Sequence, residues 1–161
     1  MISQTAEYAL RAAVHLARHQ DRPVTGHAIS DATAVPPTYL LKILAQLTRG
    51  GVVRSQRGPN GGYALARPAL AVSAYDVVAA VDSIPDLNRC PLGLSAHSGR
   101  LCPLHSRLRE AAHLMHDALR RTSLHDLRGS EESSPDACRF PAVPDPLARP
   151  RSADSRKKEE R

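Results

Sequence analysis

The sequence predicts a mainly α-helical chain carrying one small β-hairpin, and three observations carry that prediction. Residues 25–67 read TGHAISDATAVPPTYLLKILAQLTRGGVVRSQRGPNGGYALAR, in which two short helical patterns are separated by a proline pair. The apolar pairs Val52-Val53 and Ala64-Leu65 then flank the glycine-rich turn Gly58, Pro59, Asn60, Gly61 and Gly62, with Arg57 at its mouth. From residue 101 onward, apolar residues recur three and four apart for about five turns. Two short helices, a tight turn and a hairpin with a bare glycine tip make a winged helix-turn-helix, followed here by a long dimerisation helix.

Each element has a local reason. Residues 3–19 place Ala6, Ala9, Leu10, Ala13, Val14, Leu16 and Ala17 on a broad apolar face, so this helix should be mostly buried. Glu7 and Arg11 sit four apart, the spacing of a surface ion pair. Asp21, Arg22 and Pro23 close the helix. Thr25 is a good N-cap for a short helix over residues 26–33, where Ala28, Ile29 and Ala32 lie at helical spacing. Pro36 and Pro37 stop it. Pro37 then opens a second helix with the stripe Tyr39, Leu40, Ile43, Leu44 and Leu47, which Gly50 and Gly51 end. Thr38, Tyr39, Leu41 and Lys42 stand at its N-terminal end, where a recognition helix meets base edges and phosphates. Arg57 and the backbone of Gly58, Pro59, Asn60 and Gly61 are the wing's contacts to phosphate or the minor groove.

Beyond the hairpin, Ser73 caps a short helix through Tyr75, Val77, Val78 and Val81. Residues 84–101 lose all periodicity and contain Pro85, Pro91, Gly93 and Gly99, with Cys90 near the start. A loop of that length inside a compact domain is usually functional or disordered. A long helix starts at Pro103, and Leu101, Leu104, Leu108, Ala111, Met115 and Leu119 form nearly a coiled-coil seam. One helix in so small a domain cannot bury such a seam alone, so a symmetric homodimer is expected. Three segments follow: residues 1–67 as the DNA-binding head, 68–128 as sensor loop and dimerisation helix, and 129–161 as a proline-rich, charged, disordered tail. Cys138 in that tail reads as a free thiol.

Composition narrows the function classes. The 161 residues include 42% hydrophobic side chains, enough for a core, but no Trp and the single Phe140, so that core is aliphatic. No apolar run is long enough to span a membrane and no signal-peptide pattern opens the chain, which implies a cytoplasmic protein. Residues 1–67 hold 8 Lys+Arg against 3 Asp+Glu, whereas 68–128 hold 7 against 6 and 129–161 hold 7 against 7. The positive excess of the chain, +6 in all, therefore sits on the head. No catalytic triad, phosphate-binding loop or dinucleotide fingerprint is present, so catalysis has no support.

Arg57–Tyr63 (RGPNGGY), preceded by PTYLLKILAQLTRGGVV, resembles the Rrf-two family of bacterial transcription regulators (IscR/NsrR-like). The likeness covers about residues 1–128, with recognition helix, wing and cysteine region in the family's order. It implies a dimeric regulator that binds a pseudo-palindromic operator in double-stranded DNA through two linked heads.

Three cysteines in a cytoplasmic setting point to ligand or redox roles rather than a disulfide framework. Cys90 and Cys102 are separated by eleven residues, and His105 follows within C-P-L-H. Thiolate and imidazole suit iron-sulphur clusters and zinc. The resemblance adds that cluster-binding relatives carry three cysteines in this loop; the outer two match Cys90 and Cys102, while Ala96 stands at the middle position. It also matches His105 to a histidine of iron-sulphur members, and Glu7 to a first-helix carboxylate that reaches the cluster from the other subunit in nitric-oxide-sensing members. Cys90, Cys102, His105 and Glu7 would then hold a [2Fe-2S] core, with His97 as a substitute for His105. His113, His116 and His125 read as a solvated face. The expected function is a transcription regulator, in the sense of a repressor, switched by a cluster or redox signal. A cluster-free regulator under thiol or partner control and a redox carrier that has lost DNA binding are the alternatives.

Overall fold

The computed structural model describes residues 2–82 and 102–129. Cys90, Ala96, His97, Cys138 and the expected loop and tail lie outside the described residues. The elements run α1 (Gln4–Arg18), α2 (Gly26–Thr33), α3 (Pro37–Arg49), β1 (Val53–Gln56), β2 (Gly62–Leu65), a 3-10 turn (Ala69–Ala71), α4 (Ala74–Val81), α5 (Pro103–Arg121) and α6 (Leu124–Leu127).

The helix starts follow the capping rules. Ser3 Oγ accepts from the Ala6 N–H at 3.1 Å and Thr25 Oγ1 from the Ala28 N–H at 3.2 Å. Ser73 with Asp76 and Ser123 with Asp126 form reciprocal capping boxes. α2 ends on Ala34 in the left-handed region (φ 55°), and the Ser30 hydroxyl donates to the Val35 carbonyl at 2.7 Å across the turn. α3 starts with Pro37 in its first turn and ends at Gly50. A Cβ at Gly50 would stand 2.6 Å from that of Ala80, so glycine there lets α3 and α4 approach.

Tyr8, Leu16, Ile29, Leu40, Ile43, Leu44, Leu47, Val52, Val72, Val77 and Leu124 form one buried cluster. It is aliphatic apart from Tyr8, as expected from a chain without Trp. β1 and β2 pair antiparallel with Val53 opposite Leu65 and Gln56 opposite Gly62. Val24 adds an isolated bridge to Tyr63, its N–H donating to the Tyr63 carbonyl and its carbonyl accepting in return, each at 2.8 Å. The chain entering α2 is thereby tied to the hairpin. The 3-10 turn and α6 were not expected; both are too short for periodicity to reveal.

Two expectations about side chains need correction. Arg11 is only 8% exposed, so the Glu7–Arg11 pair (2.6 Å) is not a surface pair: its cation is in the core margin and its carboxylate at the rim. His116 is not on a solvated face either. Its ring meets Tyr75 of α4 edge-on at 5.7 Å between centroids, its Nε2 is buried without a hydrogen-bond partner among the described residues, and the Arg120 guanidinium lies over the Tyr75 ring, 4.4 Å from its centroid.

Candidate nucleic-acid interface and metal-donor site

α3 buries Leu40, Ile43, Leu44 and Leu47 and so turns Thr38, Leu41 and Lys42 outward. That is the consequence of an apolar stripe at helical spacing: the core fixes which side chains remain for a ligand. Tyr39 is only partly free. Its hydroxyl is hydrogen-bonded to Thr5 Oγ1 at 2.8 Å and its ring packs edge-on against Tyr8 at 5.6 Å. Leu41 is 55% exposed, yet its Cδ2 leans toward the first residue of α2, 3.9 Å from where a Cβ on Gly26 would stand.

The hairpin tip is built for close approach. Arg57, Gly58, Pro59 and Asn60 are exposed, and Gly58 has φ 114°. The Gly61 N–H donates to the Gly58 carbonyl at 2.9 Å, and a Cβ on Gly61 would run into the Gln56 and Gly58 carbonyls. Backbone so free of side chains, with a guanidinium beside it, suits a phosphate-lined surface. Arg54 on β1 is also exposed and adds a cation outside the glycine-rich tip. Its sequence signal was the polar Arg54 directly after the apolar Val53, since successive strand residues point to opposite faces.

Of the four metal-donor candidates, Cys102 and His105 come together. Cys102 is the N-cap of α5, and its Sγ accepts from the His105 N–H at 3.4 Å. Cys102 is 9% and His105 3% exposed, and they lie at the helix end that favours negative charge. A thiol and an imidazole one turn apart fit half a donor set for an iron-sulphur group. Glu7 is elsewhere in the chain. It lines a groove of about 570 Å³ with Ile2, Leu10, Arg11, Leu119 and Thr122, at the opposite end of α5 from Cys102. At about 1.5 Å of rise per residue the two ends are roughly 25 Å apart. Among the described residues no three His, Cys, Asp or Glu side chains gather as a metal site.

Among the described residues no helix is long and apolar enough to cross a membrane. A family model described as an iron-dependent transcriptional regulator matches residues 2–129. The chain is 35% identical over 127 residues to ORF2 of Azotobacter vinelandii, named as an HTH-type transcriptional regulator, covering 78% of this chain and 77% of that one. It is 30% identical over 132 residues to the HTH-type transcriptional regulator IscR of Yersinia pseudotuberculosis, covering 81% and 80%. Among solved structures it is similar to CymR, the global cysteine regulator of B. subtilis, with TM-score 0.64 and 26% identity over 80% of this chain and 95% of that one. These relatives are regulators and not enzymes. The chain belongs to the Rrf2 family (the Rrf-two family above) of helix-turn-helix transcriptional regulators.

Proposed function

We propose that the chain is a homodimeric repressor that binds a pseudo-palindromic operator and whose affinity is set by an iron-sulphur group of the [2Fe-2S] type. The observation that carries the DNA part is the shared exposure of Thr38, Leu41 and Lys42 on α3 and of Arg57 to Asn60 on the hairpin, on the segment with the chain's positive excess. In this reading Tyr39 and Gly61 complete the contact surface, the first by setting the pitch of α3 and the second by its backbone.

Pairing is supported by α5. Only His105 of its residues is buried, while Leu104, Leu108 and Leu114 stand exposed. A helix with that much bare apolar surface is stabilised by a second copy. Residues 1–67 would act as head, 68–128 as sensor and pairing unit, and 129–161 as an appended tail. Cys102 and His105 from one chain, with Cys90 and with Glu7 of a second copy, would hold the iron-sulphur group. Bound there, the group supplies one-electron redox at a potential raised by histidine ligation. The distance between Glu7 and Cys102 within one chain supports a site shared between two chains. The family description as iron-dependent supports iron.

Anaerobic purification with visible absorbance, iron and sulfide counts decides the metal part, with Cys90→Ala and Cys102→Ala losing both counts. A mobility shift on the chain's own upstream region, read against random DNA, decides the DNA part. A colourless, iron-free protein that still discriminates its operator would establish the second reading, a regulator controlled by thiol chemistry or a partner. The similarity to a cysteine regulator favours that as the alternative.

A further inference from the structure

The last turn of α1 brings two imidazoles together. His15 and His19 stand four apart in the chain, so both leave the helix on one side. Their ring centroids are 4.7 Å apart, with the planes at 62°. The fold holds each of them in place. Leu16 and Ala17 beside them are buried in the core, which fixes the rotation of the helix, and both histidines are half-buried at its margin. His19 is the C-cap, and its backbone N–H donates to the Leu16 carbonyl at 3.1 Å. Among the described residues no hydrogen bond engages either ring.

We propose that His15 and His19 form a two-imidazole site for a divalent cation of the zinc, nickel or copper class, separate from Cys102 and His105. Imidazole nitrogen prefers such ions to magnesium or calcium, whose ligands are oxygens. With metal–nitrogen bonds of about 2.0–2.1 Å, the two donor nitrogens must stand roughly 3 Å apart. Rings whose centroids are 4.7 Å apart reach that by rotating about the last side-chain bond, whose energy well is broad. Two histidines one turn apart are also how a single helix supplies two zinc ligands. The partial negative charge of the helix C-terminus favours a cation there. Arg18 on the same turn opposes one, and its Nε is engaged by the Arg128 carbonyl at 3.0 Å. With two protein donors the site is one of modest affinity, its other positions open to water or a further ligand. The same end of α1 ties distant parts of the chain together, since Gln20 Oε1 accepts from the Ala69 N–H at 3.0 Å and Arg18 reaches Arg128. A metal bridging His15 and His19 clips the turn that carries these bonds, and its binding stabilises the folded chain. The proposal depends on neither the operator reading nor the iron-sulphur reading.

The test uses the full, untagged chain freed of metal by a chelator, with nickel as the probe and bound ions counted after equilibrium dialysis. The wild type is expected to hold one more nickel ion per chain than either His15→Asn or His19→Asn. The same difference of one ion should persist when each change is made together with Cys102→Ala, which removes the thiol of the other donor site. In that Cys102→Ala chain the melting temperature should rise as nickel is raised through its binding range, and adding His19→Asn should abolish the rise; magnesium should move neither. Copper in place of nickel should give an electron spin resonance signal with two nitrogen donors that disappears in His19→Asn. Equal nickel counts in the wild type and both variants, or loss of the ion in only one folded variant of the two, would overturn the pair as a chelate. Should His15→Asn fail to fold, His19→Asn decides alone: an unchanged count or an unchanged copper signal overturns the site.

Discussion

The Tyr39 hydroxyl lies 2.8 Å from Thr5 Oγ1, joining the first turn of α3 to the first turn of α1. The edge-on contact with Tyr8, whose own hydroxyl accepts from Gln4 Nε2 at 3.0 Å, extends this strap. A residue expected to read DNA is thus held by its own fold. Tyr39→Phe keeps the ring contact and removes the hydroxyl, so the expected loss of stability is about 1 kcal/mol or less, read as a shift in urea midpoint. Operator affinity should fall while random-DNA affinity stays, because the strap sets the pitch of α3 and adds no charge.

Arg57→Ala addresses the wing. The side chain is exposed, so folding should be unaffected. Binding should weaken on every DNA sequence, and the slope of log affinity against log salt should become shallower by about 1. Unchanged affinity across a salt titration would count against the wing as a phosphate contact.

Gly61→Ala separates wing shape from wing charge. The added Cβ meets the Gly58 carbonyl at 2.8 Å, so the tip must rearrange while the core at Leu47 and Val52 is untouched. The expected outcome is a protein with nearly the wild-type melting temperature and DNA affinity reduced about as far as in Arg57→Ala. Retention of full affinity would show that the tip's backbone does not approach DNA.

His15 gives the fold a pH dependence. Its partial burial, with His19 and Arg18 beside it, lowers its pKa from 6.5 to about 4. The rings of His15 and His19 are 4.7 Å apart. The folded state therefore binds a proton less readily than the unfolded chain between those values. The contribution is fully present above pH 6.5 and is lost as pH falls toward 4. Because the ring is only half buried, solvent screening reduces the effect to about 1–2 kcal/mol. Denaturant midpoints from pH 7 to 4 should show that loss in the wild type and a flatter profile in His15→Asn.

Much of the fold was legible because its signals are local. Thr25 and Ser73 cap α2 and α4, Pro37 opens α3, Gly50 and Gly51 close it, and Gly58 to Gly61 turn the hairpin, with Gly62 already paired in β2. Each acts on backbone groups within a few residues of itself, so the sequence carries it in full. The helical periodicity of α5 was legible for the same reason, and of the expected seam Leu104 and Leu108 are exposed while Met115 and Leu119 are half-buried.

What the chain by itself determined is therefore where the longer helices and the hairpin lie, which of their faces are apolar, and that the head carries the positive excess. Only the tertiary structure decided that Arg11 is buried and reaches Thr33, that Tyr39 is strapped to Thr5, that His116 lies on Tyr75, and that Glu7 sits at the far end of α5 from Cys102 and His105. Those relationships join residues far apart in the chain through the angles at which helices pack. No periodicity within a single element encodes such an angle, since it emerges from how all the side chains between the helices fill space together.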